Sequence, residues 1–148
     1  MKRLLLFSAA FFVFAVAANA QGYRTSVGVR LGSSAPAIKN GITLKHFIGN
    51  NAIEGILSFG DGTALCGLYE MHKPLASDKL QWLIGFGGYV GLSNQTTTRL
   101  GAAGIIGLDY KFNAVPLNLT LDWKPELNIV SKVGFESSGI GFSARYTF

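Results

Sequence analysis

One cysteine, two histidines and four prolines stand in 148 residues, and each scarcity removes a class of explanation. Cys66 alone cannot form an intramolecular disulfide, so the fold is not stapled even where an oxidising compartment would allow it. Its plain reading is a small buried or wall-lining residue. His46, His72 and one cysteine supply no zinc spacing, and neither a phosphate loop nor an acidic loop in calcium-ligand order is present. Gly85-Phe86-Gly87-Gly88-Tyr89-Val90 begins like a dinucleotide loop but has Val where the third glycine belongs, with no helix pattern after it. The sequence therefore implies no cofactor and no metal. Charged residues make up only 14% of the chain, and the cations are scattered without a run that could track phosphates, which argues against nucleic acid as a partner.

A long apolar run is also missing. The longest, Leu4 to Ala17, falls short of the roughly 20 residues a helix needs to cross a bilayer. It follows Lys2 and Arg3 and precedes Ala18-Asn19-Ala20. A basic n-region, an apolar h-region and a small-residue cleavage site predict a signal peptide over residues 1–20, cut after Ala20. Gln21 rather than cysteine follows the cut, so no lipid anchor is expected. The mature part, residues 21–148, forms one domain with eleven cations against eight anions, a net +3.

What the mature part has instead is alternation. No stretch shows a helical period, whereas short alternating runs recur between clusters of turn residues. The clearest is Leu117 to Ile129, where Leu117, Leu119, Leu121, Trp123, Pro125, Leu127 and Ile129 are apolar and Asn118, Thr120, Asp122, Lys124, Glu126 and Asn128 are polar. Successive strand side chains point to opposite faces, so one face is wholly apolar and the other wholly polar. Further strands are predicted over Arg24–Leu31, Ile42–Phe47, Ala52–Phe59, Thr63–His72, Leu80–Gly91, Leu100–Phe112 and Ile140–Phe148. Turns are predicted at Gly49–Asn51, Gly60–Gly62, Pro74–Asp78, Ser93–Thr98, Asn113–Pro116 and Ser131–Ser138. Eight hairpin-connected strands bring both chain ends to one side, which suits a closed up-and-down barrel. Many of the nineteen glycines fall inside strands, where they permit tight curvature.

Alternation alone does not tell a soluble lipocalin-like barrel from a membrane one; the charges do. The cleanest register puts Arg30, Lys45, Glu54, Glu70, Asp109, Lys111, Asp122, Lys124, Glu126 and Arg145 on the polar face, five of each sign. In a membrane barrel that face lines a narrow interior where unpaired ions are expensive, so the signs must balance. The other face reads Val27, Val29, Leu31; Ile53, Leu57, Phe59; Trp82, Ile84, Phe86; Ile106, Leu108, Tyr110, Phe112. A Lys or Arg there near mid-membrane would cost roughly 2–4 kcal/mol. Alternating strand directions place Trp82, Tyr110, Phe112, Tyr146 and Phe148 towards the chain termini as one interfacial girdle. Pro125 cannot donate to a ladder, so a bulge or local break is expected there, near the outer rim. His46 falls on the lipid face and is tolerable only at the interface.

The end of the chain, Gly139-Ile140-Gly141-Phe142-Ser143-Ala144-Arg145-Tyr146-Thr147-Phe148, resembles the terminal signal of bacterial outer-membrane barrels. In that signal the last residue is commonly Phe and residues at two-step spacing are apolar, a pattern that Phe142, Ala144, Tyr146 and Phe148 fit. Asp109-Tyr110-Lys111-Phe112 through Trp123-Lys124-Pro125 also resembles the last hairpins of small barrels of this kind, the outer-membrane proteins of the A and X types. The resemblance implies an all-β transmembrane barrel of about eight strands in the cell outer membrane. It also implies partners: outer-membrane lipid, the barrel assembly machinery and periplasmic chaperones.

Eight strands close a cylinder only wide enough for its own side chains, so no aqueous channel is expected. The connections opposite the termini are short and none reads as a binding loop. The expected role is that of a monomeric structural or surface barrel contributing to envelope integrity or surface interaction, not an enzyme. Two other readings stay open beside a soluble binding barrel. Glu70 and His72 share the inner face two residues apart and could orient an imidazole as a general base, as a lipid A-modifying enzyme would need. Yet both histidines lie near terminus-side turns, away from outer-leaflet substrate. An accessory of an envelope complex would show an apolar patch outside the lipid band, for which Phe135 is the candidate.

Overall fold

A computed structural model describes residues 24–33, 37–60, 62–93, 98–130 and 132–148; the expected signal peptide over residues 1–20 lies outside them. The described residues contain strands and no helix: β1 Thr25–Ser33, β2 Asn40–Ile48, β3 Asn51–Phe59, β4 Gly62–Ser77, β5 Leu80–Ser93, β6 Thr98–Lys111, β7 Leu117–Trp123, β8 Glu126–Asn128, β9 Gly134–Glu136 and β10 Ile140–Thr147. Each of β1 to β7 pairs antiparallel with its neighbour in sequence, and β10 joins β7 to β1. The sheet therefore closes on itself and has eight staves, two of them composite: β7 and β8 in succession form one, and β9 and β10 form the other. Closure is fastened at the chain's end, where Thr25 and Phe148 exchange both backbone hydrogen bonds, at 3.2 and 2.9 Å.

Alternating sequence becomes alternating burial along every stave. In β2 the pattern runs Ile42 out, Thr43 in, Leu44 out, Lys45 in, His46 out, Phe47 in. Outside lie Val29, Leu31, Ile53, Leu57, Phe86, Leu100, Ile106, Leu108 and Leu121; inside lie Arg30, Lys45, Glu54, Glu70, Asp109, Asp122, Lys124 and Arg145. A soluble barrel needs the reverse distribution, so the lipocalin-like alternative does not describe this chain.

Several boundaries differ from those read in the sequence. The turn expected over Pro74–Asp78 is mostly strand: β4 runs to Ser77, with a register shift between Pro74 and Ser77, and only Asp78 and Lys79 turn. Proline is tolerated there because β3 ends opposite Met71, which leaves Pro74 on a free edge. The stretch from Ser131 to Ser138, expected as a turn, contains β9, which pairs with β8. Of the other turn residues, Asp61, residues 94–97 and Ser131 lie outside the described set. The single strand expected over Leu117–Ile129 breaks at Lys124 and Pro125. Gly104 N–H donates to Pro125 O at 3.0 Å and proline returns nothing. The register to β6 is nonetheless the same before and after the break, since Ile106 faces Trp123 and Ala103 faces Glu126. The extra residue is in the facing strand: three residues, 137–139, separate β9 from β10 where two separate β7 from β8. Trp123 spans that irregularity, its Nε1–H donating to Ser137 O at 2.6 Å.

Candidate functional site

The charged residues inside the barrel come from strands far apart in sequence, and barrel closure brings them together. Arg30 of β1 reaches Asp122 of β7 with both terminal nitrogens, at 2.6 and 2.8 Å. This fork-to-carboxylate geometry is the strongest form of the pair. The guanidinium crosses over Gly141, where a Cβ would overlap its atoms. Arg145 of β10 pairs with Glu54 of β3 and also bonds Thr120 at 2.6 Å, Asn118 at 3.2 Å and Thr43 at 3.1 Å. Thr43 in turn donates to Glu54 at 2.5 Å. Lys45 of β2 bridges two carboxylates, Glu70 at 2.7 Å and Asp109 at 3.3 Å. Asp109 is further held by Asn118 at 2.5 Å and Thr120 at 3.1 Å. Lys124 stands 4.0 Å from Asp122, and its ammonium has no hydrogen-bond partner among the described residues.

These ions are buried to within a few per cent, so a missing partner would leave a bare charge in a medium of low dielectric. Of the ten residues read as interior charges, nine are buried and one is not. Lys111 is half-exposed at the terminus-side mouth, its ammonium 3.8 Å from the centre of the Phe47 ring. The strand has reached the rim there, and the ammonium itself lies over the ring face as a cation–π contact. Glu126 stands apart from the network, near the opposite mouth. It binds the backbone N–H groups of Ala37 and Ile38, at 3.1 and 2.8 Å.

The interior is not lined by charge alone. Ile56, Cys66, Leu68, Leu83, Tyr89, Ala103 and Ile105 form a buried apolar cluster on the β3 to β6 wall, joined by Ile38 from the connection between β1 and β2. The sequence carried a signal for it, because Ile56 shares its parity with Glu54, Leu68 with Glu70, and Ile105 with Asp109. Cys66 belongs to this layer as a small wall residue. Glycines fill the inner face beside it, and at Gly85, Gly87 and Gly101 a Cβ would strike the backbone of the neighbouring strand.

His72 is buried below the Phe47 ring, the two ring centres 5.0 Å apart. Its Nε2 lies 3.5 Å from Glu70 and 3.7 Å from Asp109. Glu70 is paired with Lys45, and neither ring nitrogen of His72 has a hydrogen-bond partner among the described residues. The Glu70–His72 pair sits on the terminus side, walled off from the outer surface of the barrel. His46 points outward at the terminus-side rim and is bonded to Thr25 at 2.8 Å. Trp82, Tyr110, Phe112, Tyr146 and Phe148 all fall on that side; Tyr110 meets Phe112 edge-on at 4.7 Å, and Tyr146 stacks on Phe148 at 6.5 Å. Lys73 lies 5.7 Å from the Trp82 ring. Phe142, Ala144 and Tyr146 share the outer face of β10, opposite Leu31, Val29 and Val27. Phe135 stands opposite Leu127 in the β8–β9 ladder and faces the same way. It is exposed on the outer face of that hairpin.

A closed eight-stave antiparallel barrel with ions inside and aliphatic and aromatic side chains outside is a transmembrane β-barrel. Among solved structures the fold matches the N-terminal β-barrel domain of Pseudomonas aeruginosa OprF, with a TM-score of 0.66 and 13% identity over 86% of this chain and 100% of that one. The Yersinia pestis outer membrane protein Ail, solved in a phospholipid bilayer nanodisc, aligns over the same shares at 12% identity, with a TM-score of only 0.29. No protein-family model matches the chain, and no curated protein matches it in sequence.

Proposed function

We propose that this chain is a structural or surface protein of the bacterial outer membrane, a barrel with a filled interior that contributes to envelope integrity or surface interaction and performs no chemistry. The observation that carries this reading is the inverted polarity together with the pairing inside. Arg30, Lys45 and Arg145 are each matched to carboxylates, so ion pairs occupy the lumen. Residues 1–20 act as a cleaved signal peptide, and Phe142, Ala144, Tyr146 and Phe148 are the residues read by the assembly machinery after escort by periplasmic chaperones.

Fractionation of the producing cells tests the location. The protein should pellet with outer-membrane markers, start at Gln21, and migrate differently on a gel before and after boiling. Recovery in the soluble periplasm, with identical migration of both samples, would defeat the proposal. The enzymatic alternative has its own test: His72→Ala should leave the lipid A profile unchanged, and an altered acylation pattern would reinstate it.

A further inference from the structure

Ile38 belongs to no strand, yet it is 1% exposed. It lies in the connection between β1 and β2, on the side opposite the termini, and its side chain sits in the apolar layer with Ile56, Cys66, Leu68, Tyr89 and Ala103. The backbone around it is held from the barrel wall. Ala37 N–H and Ile38 N–H donate to the two oxygens of Glu126, and Lys39 N–H donates to Ser58 Oγ at 2.8 Å. Two successive amides converging on one carboxylate make a charge-assisted nest, and this carboxylate is itself buried. A connection lying over the rim would leave these amides to water. Here three in a row are bonded to side chains of β3 and β8, so the segment is inserted into the mouth.

We propose that Ala37–Lys39 is a plug for the loop-side mouth, latched by Glu126, and that releasing it opens the apolar layer to the outside. The physical need is clear from what lies beneath. The ion pairs of the charged layer are strong only while water is kept from them. On the terminus side the Phe47 ring, packed on His72 and carrying the Lys111 ammonium, covers that layer; on the loop side the cover is the apolar layer with Ile38 in it. Cys66, 1% exposed and part of the same cluster, reports on the plug directly, since no other cysteine is present.

The test is the rate at which a charged, membrane-impermeant maleimide labels Cys66 in the folded full-length barrel. Wild type is compared with Ile38→Gly, which removes the plug side chain, and Glu126→Ala, which removes the latch. Val29→Ala, on the outer wall, serves as control. Labelling should be slow in wild type and in the control, and faster by roughly tenfold or more in both variants, as expected when a local opening equilibrium is shifted. Migration before and after boiling reports folding in every sample, so loss of the barrel is not mistaken for opening of the plug. Should Glu126→Ala fail to fold, Ile38→Gly decides, because position 38 takes part in no ladder. Folded variants labelled no faster than wild type, or a wild type labelled as fast as the variants, would overturn the proposal.

Discussion

At the scale of single residues, the interior is a set of buried ion pairs whose members depend on one another. Removing the guanidinium with Arg145→Ala leaves the buried Glu54 carboxylate without its cation, and stability should fall by roughly 3–5 kcal/mol. Urea unfolding in lipid vesicles, followed by tryptophan fluorescence, measures it. Replacing both partners, Glu54→Leu with Arg145→Met, should cost far less than either single change, because no bare ion is left behind. A loss in the double variant equal to the sum of the singles would show that the pair is not coupled. Gly141→Ala is small in chemistry and large in consequence. The new Cβ occupies the path of the Arg30 guanidinium, so about 1–3 kcal/mol should be lost. Most of that loss should vanish in an Asp122→Ala background, where there is no fork left to disturb.

At the scale of strands, depth in the membrane decides what the outer face tolerates. Ile106 faces Trp123 and Ile84 near the middle of the wall, while Ile129 lies at the loop-side end of the same surface, where its N–H donates to Leu100 O. Arginine at 106 should cost roughly 2–4 kcal/mol and arginine at 129 no more than about 1 kcal/mol. Equal penalties at the two sites, measured by the same vesicle unfolding, would contradict the membrane orientation. The break at Pro125 is explained at this scale too. Proline could stand in the middle of a closed sheet because Gly104 opposite it has no side chain to meet the ring, and because the facing strand carries one extra residue at 137–139. The irregularity is thus shared between three staves and the barrel remains closed.

For the whole molecule, a lumen packed with paired ions on one side and an aliphatic layer on the other should not conduct. Planar bilayers containing the folded protein should show no steady ohmic steps. Sustained conductance in wild type would mean that the interior holds a water path which these side chains do not display. Such a path would also weaken every pair in it, since Coulomb attraction falls as the dielectric rises.

Much of this architecture was legible in the alternation itself. Parity along Leu117–Ile129, extended to the other strands, told which side chains share a face, and the equal count of acids and bases on one face told which face is enclosed. Period two is a local property of extended backbone, so no tertiary information was needed for it. What sequence could not supply was partnership. Arg30 and Asp122 are 92 residues apart and meet only because closure sets the stagger of β1, β10 and β7. Lys45 finds Glu70 and Asp109 across the lumen for the same reason. The apolar layer has the parity of charged neighbours, Ile56 with Glu54 and Leu68 with Glu70, but an apolar residue type by itself does not distinguish an enclosed position from a lipid-facing one. The insertion of Ile38 had no periodic signal at all. Its place is decided by a carboxylate on β8 and a hydroxyl on β3, which come within reach of a short connection only once the cylinder exists. Local periodicity settled the inside and the outside of this protein; the closure of the barrel settled who meets whom within it.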